Sequence, residues 1–328
     1  MGSVLIGQVY SPTQVAEYLD YIGLPQSFHP SANPTLDLSY LTSLFFHQIT
    51  TIPYENLLIH YSSNHTVDLD PQVLFTKIVA NRRGRGGYCM ENALFFKNML
   101  HALGFTNAYT VGVRNRSRID GVPQGPFSGW VHLVIILTLP SDTSPNPQRY
   151  AVDVAFGGDG PTFPMPLIEG LVHHNSIGTQ EIRLVRDFLP TQTFRGEGAA
   201  KMWLYQYRNG KDKEWNTFYA FNAEFEFMEP DFRVMNHFTS TSDENPQGVT
   251  VLSILFLRGD GEDGKKKVTG KVMLFREVVK KNLGGRTEVV QVCKSEEERF
   301  KALREWFGIE LTEEERAGIR GWKSELKG

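Results

Sequence analysis

The spacing of apolar residues changes near residue 106, and this change limits the chain to a mixed fold. Before that point, segments around 12–22 and 38–52 place apolar side chains three and four positions apart, as helices that bury one face do. After it come short runs rich in β-branched and aromatic residues, separated by glycine, proline, asparagine and aspartate. The tail returns to helical spacing behind a capping pair, Ser295 and Glu298. The sequence therefore predicts an α+β fold.

Length and composition exclude several classes of protein. The chain has 328 residues, enough for two or three hydrophobic cores, and a net charge of −3 gives no reason to expect nucleic acid or an anionic membrane as partner. The longest apolar run, 130–139, is too short to span a bilayer, and the N-terminus lacks the features of a signal peptide. Two cysteines suit a reducing compartment. We expect a soluble cytoplasmic protein.

Cys89 has an unusual setting in the stretch RGRGGYCMEN. It stands at the predicted start of a helix, 89–103, that is apolar nearly all round and should lie at the centre of a helical bundle. Free N–H groups at a helix start favour a thiolate, which is the nucleophilic form of cysteine. The alternative is an inert buried thiol, and this is the interpretation we give to Cys293.

Three arginines precede Cys89, and the sequence leaves their role open. Arg82, Arg83 and Arg85 add positive potential that would lower the pKa of the thiol. They could instead meet the phosphates of a cofactor or form salt bridges at the surface of the bundle. The glycines between them permit conformations and close approaches that other residues do not.

His132 and Asp153 are polar residues inside otherwise apolar strand-like runs, WVHLVIILTL and YAVDVAF. A buried carboxylate needs a partner, and a reactive cysteine needs a base with an orienting group. If the two runs form a hairpin in which His132 faces Asp153, Ile135 pairs with Tyr150 and 140–145 form the loop. The alternative is that the two residues are satisfied separately in the core.

Other motifs in the sequence give weaker indications of function. His173 and His174 are adjacent and lack the spacing of metal ligands, so no metal site is expected. The glycine-rich stretches RGRGG and AFGGDG match neither the P-loop nor the dinucleotide fingerprint. The segment 260–267 is predicted to be a hairpin loop with solvated lysines.

The stretch around Cys89 resembles the signature of the arylamine N-acetyltransferase family, in which R-G-G-x-C-x-E/Q-N opens the helix of the nucleophile. Further similarities cover most of the chain, and the fungal members are the nearest in kind. The similar segments are IPYENL (52–57), WVHLV (130–134), VDVAFGG (152–158), DFRVMNHFTSTS (231–242) and the strand-then-helix ending at 287–311.

The resemblance implies a fold of three parts with a core like that of the cysteine proteases. Residues 1–105 would form a helical bundle with the nucleophile, and residues 106–215 a central antiparallel β-barrel with the histidine and aspartate. Residues 216–328 would form an α/β lid. The active site would then lie between domains.

The resemblance also assigns chemistry to Cys89 as nucleophile, His132 as base and Asp153 as orienting group. The implied reaction is a ping-pong transfer from acyl-CoA, with acetyl-CoA expected as donor and no metal. The acyl group passes through a thioester on Cys89 to the nitrogen of an arylamine, hydrazine or arylhydroxylamine. Detoxification of aromatic amines is the role this implies.

Binding positions follow from the same resemblance. The positions implied for the cofactor are Ser128, Gly129, Thr241 and Ser242. The positions implied for the acceptor are Phe156, Gly158 and Gly160, where the two glycines favour a roomier pocket than relatives with larger residues have.

Three alternatives stay open at this point. Some relatives, fungal ones especially, use propionyl- or malonyl-CoA in place of acetyl-CoA, and a malonyl group would need a cationic partner. A thiol hydrolase or transglutaminase-like enzyme uses the same Cys–His–Asp arrangement. A binding or scaffold protein could keep the fold without the activity.

Overall fold

The computed structural model describes residues 9–119, 121–140, 145–175, 177–261 and 265–327. The first hundred residues are mostly helical, as the spacing predicts. The capping box of Ser11 and Gln14 begins the first helix, and Gly23, in the left-handed region, ends it. The elements in order are α1 (Pro12–Ile22), α2 (Leu38–Thr51), β1 (Tyr54–Glu55), α3 (Leu57–Tyr61), α4 (Pro71–Phe75), which continues as a π-helical turn over Thr76–Ala80, and α5 (Cys89–Ala102).

Helix α5 lies at the centre of this bundle. Its buried residues point in every direction around the axis, from Cys89 and Met90 to Met99 and Leu100, as the apolar sequence predicts. Tyr18 of α1 and Phe95 of α5 pack edge to face, with ring centroids 5.5 Å apart. The helix that begins at Cys89 is therefore held rigidly by the core around it.

An antiparallel sheet of eight strands follows, in the spatial order β5-β4-β3-β2-β9-β8-β7-β6. The sheet is curled but open, because no ladder joins its edge strands β5 and β6 within the described residues. The predicted barrel is therefore confirmed only as an open, curled antiparallel sheet. Its strands are β2 (Tyr109–Arg116), β3 (Phe127–Leu139), β4 (Gln148–Val152), β5 (Met165–Pro166), β6 (Val172–His174), β7 (Gln180–Asp187), β8 (Met202–Asn209) and β9 (Asn216–Phe221).

The predicted register of the β3–β4 hairpin is wrong by two residues. Ile135 pairs with Val152, not with Tyr150. The first residue of β4 to pair is Gln148, because Pro145 and Pro147 have no N–H to donate to a ladder. A shift of two residues keeps every side chain on its predicted face. Residues 141–144 of the predicted loop lie outside the described residues.

In the last third of the chain, the described residues form a second sheet and four helices. The sheet has the order β1-β10-β11-β12-β13, so a strand from the helical region forms its edge, with Tyr54 paired to Ile254. The predicted hairpin at 260–267 joins β10 to β11, although residues 262–264 lie outside the described ranges. The elements are α6 (Glu229–Thr241), α7 (Pro246–Val249), β10 (Leu252–Asp260), β11 (Lys266–Phe275), β12 (Val278–Asn282), β13 (Glu288–Val292), α8 (Glu296–Phe307) and α9 (Glu313–Gly318).

The loop before Cys89 packs tightly against distant backbone. Gly84 has φ of 66°, and a Cβ atom there would overlap the carbonyl of Gly308, which ends α8. A Cβ atom on Gly86 would overlap the carbonyl of Pro53. The two glycines therefore let this loop lie directly on the backbone of two other segments.

No helix within the described ranges is long and apolar enough to cross a membrane.

Candidate active site

Cys89 is the first residue of α5 and lies against strand β3. Its side chain is buried, and its Sγ atom lies 3.6 Å from the carbonyl oxygen of Val131. Since His132 follows Val131 directly, this contact brings the strand that carries the histidine onto the start of the nucleophile helix. The predicted helix start at Cys89 is confirmed.

His132 and Asp153 form a buried pair. The Nε2 atom of His132 lies 2.9 Å from the Oδ2 atom of Asp153, and the two residues are 1% and 3% exposed. The second oxygen of Asp153, Oδ1, accepts the N–H of Ala155 at 3.0 Å. The rings of Phe156 and Tyr219 pack near the imidazole, with centroids 5.3 and 5.7 Å from it. The hydrogen bond that the sequence predicted between these two side chains is confirmed. Asp153 itself lies one residue beyond the last ladder pair, which Val152 forms with Ile135.

Cys89 and His132 face one cavity of about 770 Å³, which opens between the curled sheet, β10 and the segment before α7. Asp153 lies behind the imidazole and lines a small adjoining space of about 10 Å³. The thiol and the imidazole therefore meet in a space that can hold a ligand, while the carboxylate is sealed behind them.

Burial governs the protonation of the thiol. Burial raises the pKa of Cys89, the charge of Asp153 raises it further, and hydrogen bonds from the Met90 and Cys89 backbone N–H groups only partly oppose this rise. The N–H groups at the helix start lower the pKa of Cys89, as predicted, but burial of the thiol raises it by more. The surroundings of Cys89 therefore favour the thiol over the thiolate.

Of the three roles left open for the arginines, the structure shows ion pairs. Arg85 is fully buried and donates to Glu55 at 2.9 Å and to Glu315, while Arg83 also pairs with Glu315. Arg82 lies 3.7 Å from Glu17 at the surface. All three form ion pairs, and that of Arg85 is in the core rather than at the surface of the bundle.

The ion pair of Arg85 fixes the charge of its partner. Burial alone would raise the pKa of Glu55, but Arg85 and Lys77 outweigh it and hold the pKa at about 2. Glu55 also accepts hydrogen bonds from the backbone N–H groups of Leu57 and Gly86. Through Gly86, this carboxylate holds the loop that leads to Cys89.

Most of the predicted binding positions lie on the cavity wall. Of the predicted positions, four line this cavity: Ser128, Gly129, Phe156 and Gly158. Gly160 lines the small adjoining space. Thr241 and Ser242 lie at the end of α6, and the residues that follow them, 244–247, line the cavity in their place. Within α6, Phe238 reaches the cavity, whereas Thr241 at the end of the helix does not line it.

Several polar residues of the cavity wall were not predicted, among them Tyr54, Asn115 and Gln247. The Tyr54 hydroxyl accepts a hydrogen bond from Nε2 of Gln247 at 2.6 Å. The Oδ1 atom of Asn115 and the Oε1 atom of Gln247 are buried without a partner within the described ranges. Tyr54 lies in the IPYENL segment that the sequence singled out, but nothing in the sequence signals its bond to Gln247.

In the part of the chain that the structure describes, no group of three or more His, Cys, Asp or Glu side chains could hold a metal ion. His173 and His174 lie on β6, where successive side chains point to opposite faces of the sheet.

Comparison with known proteins agrees with this fold. A family model described as N-acetyltransferase matches residues 37–316. The chain is 32% identical over 331 residues to N-malonyltransferase FDB2 of Gibberella moniliformis, covering 94% of this chain and 92% of that protein. A solved arylamine N-acetyltransferase of Mycobacterium abscessus has a TM-score of 0.74 at 22% identity, covering 93% of each chain. The arylamine N-acetyltransferase of Mycobacterium marinum in complex with CoA has a TM-score of 0.70 at 24% identity, covering 93% of this chain and 98% of that one.

These matches make the protein an acyltransferase. Because the family model spans most of the chain, and the malonyltransferase is similar over nearly its whole length, the chain belongs to the arylamine N-acetyltransferase family. The resemblance seen in the sequence is confirmed.

Proposed function

We propose that the protein transfers an acyl group from acyl-CoA, through a thioester on Cys89, to the nitrogen of an aromatic amine, hydrazine or arylhydroxylamine. One observation carries the proposal: the imidazole of His132, held by Asp153 at 2.9 Å, faces the same cavity as the thiol of Cys89. A nucleophile, a base and an orienting carboxylate in this arrangement serve acyl transfer.

In the first half-reaction, His132 takes the proton of Cys89 as the sulfur attacks the thioester carbonyl. A carboxylate only accepts hydrogen bonds, so Nε2 of His132 carries the hydrogen toward Asp153 and Nδ1 is the nitrogen left to accept a proton. The new C–S bond forms, the bond to the CoA sulfur breaks, and His132 returns the proton to that sulfur. Since burial raises the pKa of the free thiol, the thiolate forms together with the imidazolium that stabilises it.

In the second half-reaction, the amine nitrogen attacks the acyl carbon of the Cys89 thioester. The bond between that carbon and Sγ breaks, and His132 takes the proton that the nitrogen loses. The proton then returns to Sγ. Asp153 keeps the ring oriented and favours its charged form in both halves.

Binding positions complete the proposal. Ser128 and Gly129, on the wall beside His132, are proposed to hold the donor, with Thr241 and Ser242 acting at the end of α6. Phe156, Gly158 and Gly160 are proposed to surround the acceptor. We also propose a division near 1–105, 106–215 and 216–328, with a core like that of the cysteine proteases, in which the nucleophile and the base belong to different domains. Strand β9 (Asn216–Phe221) pairs with β2 and β8, so it belongs with the sheet of the middle part.

The test is acyl labelling of the protein by acetyl-CoA without an acceptor. We expect one acetyl group on the tryptic peptide that contains Cys89, released on addition of an arylamine. Cys89→Ser should remove the label, whereas Cys293→Ser, the matched change at the other buried cysteine, should keep it. Undiminished labelling of Cys89→Ser at another residue would overturn the proposal.

A malonyl donor is the second candidate, and the similarity to a malonyltransferase favours it. The carboxylate of a malonyl group would need a cation. Arg118 lines the cavity and lies 2.5 Å from Asp159, which also lies 3.3 Å from Lys271. Two cations thus face one carboxylate, Arg118 from this cavity and Lys271 from a neighbouring one, so the summed charge of the cluster is positive. Comparing acetyl-, propionyl- and malonyl-CoA as donors with one arylamine separates the candidates.

A further inference from the structure

The segment 154–160, which follows strand β4, forms part of the wall of the large cavity. Phe156 and Gly158 line this cavity together with Cys89 and His132, and the ring of Phe156 lies 5.3 Å from the imidazole. The segment lies outside helices and strands, so contacts with other parts of the chain must fix its position. We call it the acceptor segment, because the proposed function places the amine against it.

The second sheet packs against the acceptor segment with the face that carries Ile254 and Phe256. Both residues, and Gly157 and Gly160 of the acceptor segment, line the small space of about 10 Å³ between the two parts. A Cβ atom on Gly157 would come within 3.1 Å of Cδ1 of Ile254. The acceptor segment therefore lies directly on this sheet.

A charged residue, Lys271, lies on the same face of the sheet. It stands directly opposite Phe256 in the ladder of β10 and β11, so the two side chains point to one face. The side chain of Lys271 is 12% exposed, and lysine is rarely so buried without a partner. Its Nζ atom donates to the carbonyl oxygen of Gly158 and to Oδ1 of Asp159, the latter at 3.3 Å. The ammonium group thus joins the sheet to two consecutive residues of the acceptor segment.

Two further contacts hold this end of the acceptor segment. A Cβ atom on Gly158 would lie 3.2 Å from Cδ of Lys271, so the lysine occupies the space that a larger side chain would need. Asp159 also binds Arg118 at 2.5 Å. Burial would raise the pKa of Asp159, but the charges of Lys271 and Arg118 outweigh it and lower the pKa, so the carboxylate stays ionised.

Lys271 holds the wall from outside the large cavity. It lines a neighbouring cavity of about 510 Å³, whereas Gly158 and Asp159 line both cavities. The acceptor segment is therefore the partition between the two spaces at this point. A ligand in the large cavity meets the segment itself, and Lys271 acts on that ligand through the segment.

We propose that Lys271 is a positioning residue for the aromatic acceptor: by fixing the acceptor segment, it sets the wall against which the ring of the amine packs. The inference rests on the proposed transfer to an amine. Formation of the thioester on Cys89 does not involve the ring. Lys271 should therefore affect the second half-reaction and not the first, and it should not affect an acceptor that has no ring.

The orientation of Asp153 does not depend on Lys271. Its two oxygens are bound by Nε2 of His132 and by the N–H of Ala155, and Val152, the residue before it, is paired within the first sheet. These contacts all precede the residues that Lys271 binds. The pair that activates the thiol should therefore survive the loss of the lysine.

Lys271→Met tests the proposal in the two half-reactions separately. Acetyl-CoA alone measures acetylation of Cys89, and addition of para-fluoroaniline or unsubstituted hydrazine to the acetylated protein measures release of the acetyl group. We expect the second-order rate constant to fall about ten-fold for para-fluoroaniline, because charged hydrogen bonds to the acceptor segment are lost. Acetylation and release by hydrazine should stay within about two-fold. Since Asp159 keeps Arg118 as its partner, we expect the variant to fold, and circular dichroism checks this.

Lys266→Met is the matched control, because Lys266 is an exposed lysine of the same strand, paired with Asp260 at 2.6 Å. We expect it to leave all three rates unchanged. Lys271→Arg keeps the charge and the donors, so it should lose less of the para-fluoroaniline rate than Lys271→Met does. Equal losses in both half-reactions of Lys271→Met, equal losses with both acceptors, or no loss would each overturn the proposal.

A binding measurement separates this inference from the proposed function. We expect the Kd of para-fluoroaniline, followed by fluorine NMR without any donor, to rise about ten-fold in Lys271→Met and to stay unchanged in Lys266→Met. If binding shows this dependence but acyl-CoA does not label Cys89 of the wild-type protein, the role of Lys271 stands and the proposed function fails. An unchanged Kd with normal labelling overturns only the role of Lys271.

Discussion

The Oδ2 atom of Asp153 lies 2.9 Å from Nε2 of His132, just beyond the last paired residue of β4, Val152. Leaving the ladder frees the carboxylate to turn toward the imidazole. Its other oxygen is then held by the N–H of Ala155 at 3.0 Å. The end of a strand thus sets the orientation of the histidine.

Asp153→Asn should separate the effect of the Asp153 charge on catalysis from the contribution of this side chain to folding. Asparagine can still accept from the Ala155 N–H, so we expect a folded protein. Without the carboxylate, the imidazolium loses its stabilising charge, and Cys89 acetylation should slow about 10²- to 10⁴-fold. Stopped-flow acylation with circular dichroism as the folding check measures both. Asp187→Asn, at the exposed end of β7, is the control, and a slowing below about two-fold in Asp153→Asn would contradict the role.

Arg85 and Arg82 provide a matched pair of stability predictions. Arg85→Met leaves Glu55 buried without its cation, so the free energy of unfolding should fall by about 3–5 kcal/mol. Arg82→Met removes a surface ion pair 3.7 Å long and a cation–π contact with Tyr21 at 5.0 Å, and the loss should be about 0–2 kcal/mol. Urea unfolding of the two variants decides the matter. Equal losses would mean that burial of the Arg85 pair adds nothing.

His60 predicts a dependence of stability on pH. Burial lowers the pKa of His60 to about 4, from an ordinary value of 6.5. Between pH 6.5 and 4, His60 is protonated in the unfolded chain but neutral in the folded protein. The free energy of unfolding should therefore fall as the pH drops from 6.5 to 4, by about 3 kcal/mol in total.

Urea unfolding at several values of pH measures this contribution. His60→Gln should flatten the slope in that window. His65→Gln removes a half-buried histidine that stacks on Trp322, and it should keep most of the slope. A wild-type slope that survives in His60→Gln would assign the effect to another group.

Arg118 should govern the preference between donors. Arg118→Gln removes the cation that a malonyl carboxylate would meet, so kcat/KM for malonyl-CoA should fall about five- to thirty-fold relative to acetyl-CoA. Arg195→Gln, which alters an exposed arginine bonded within its own loop, is the control. Parallel changes for both donors would assign Arg118 a structural role or a role in binding the common part of CoA.

The sequence predicted the elements well and the site in part. Helical and strand spacing located α1, α5 and the hairpin of β3 and β4, because these depend on which face is buried. His132 and Asp153 stood out because a polar residue in an apolar run must have a partner. The register of this hairpin was wrong by two residues along its whole length, because two prolines delay the pairing of β4.

Other parts of the site depend on contacts that no local pattern reveals. Tyr54 and Gln247 are 193 residues apart and meet only because a strand of two residues joins the edge of the second sheet. The sequence showed the arginines before Cys89, but which groups Arg83 and Arg85 pair with depends on where Glu55 and Glu315 lie in the fold.

The contacts of residues 82–88, before Cys89, also order events during synthesis of the chain. Arg85 leaves the ribosome 230 residues before Glu315, and Gly84 before the Gly308 carbonyl on which it packs. A nascent chain that has not yet reached α8 and α9 therefore holds this segment without two of the contacts that position it in the folded protein.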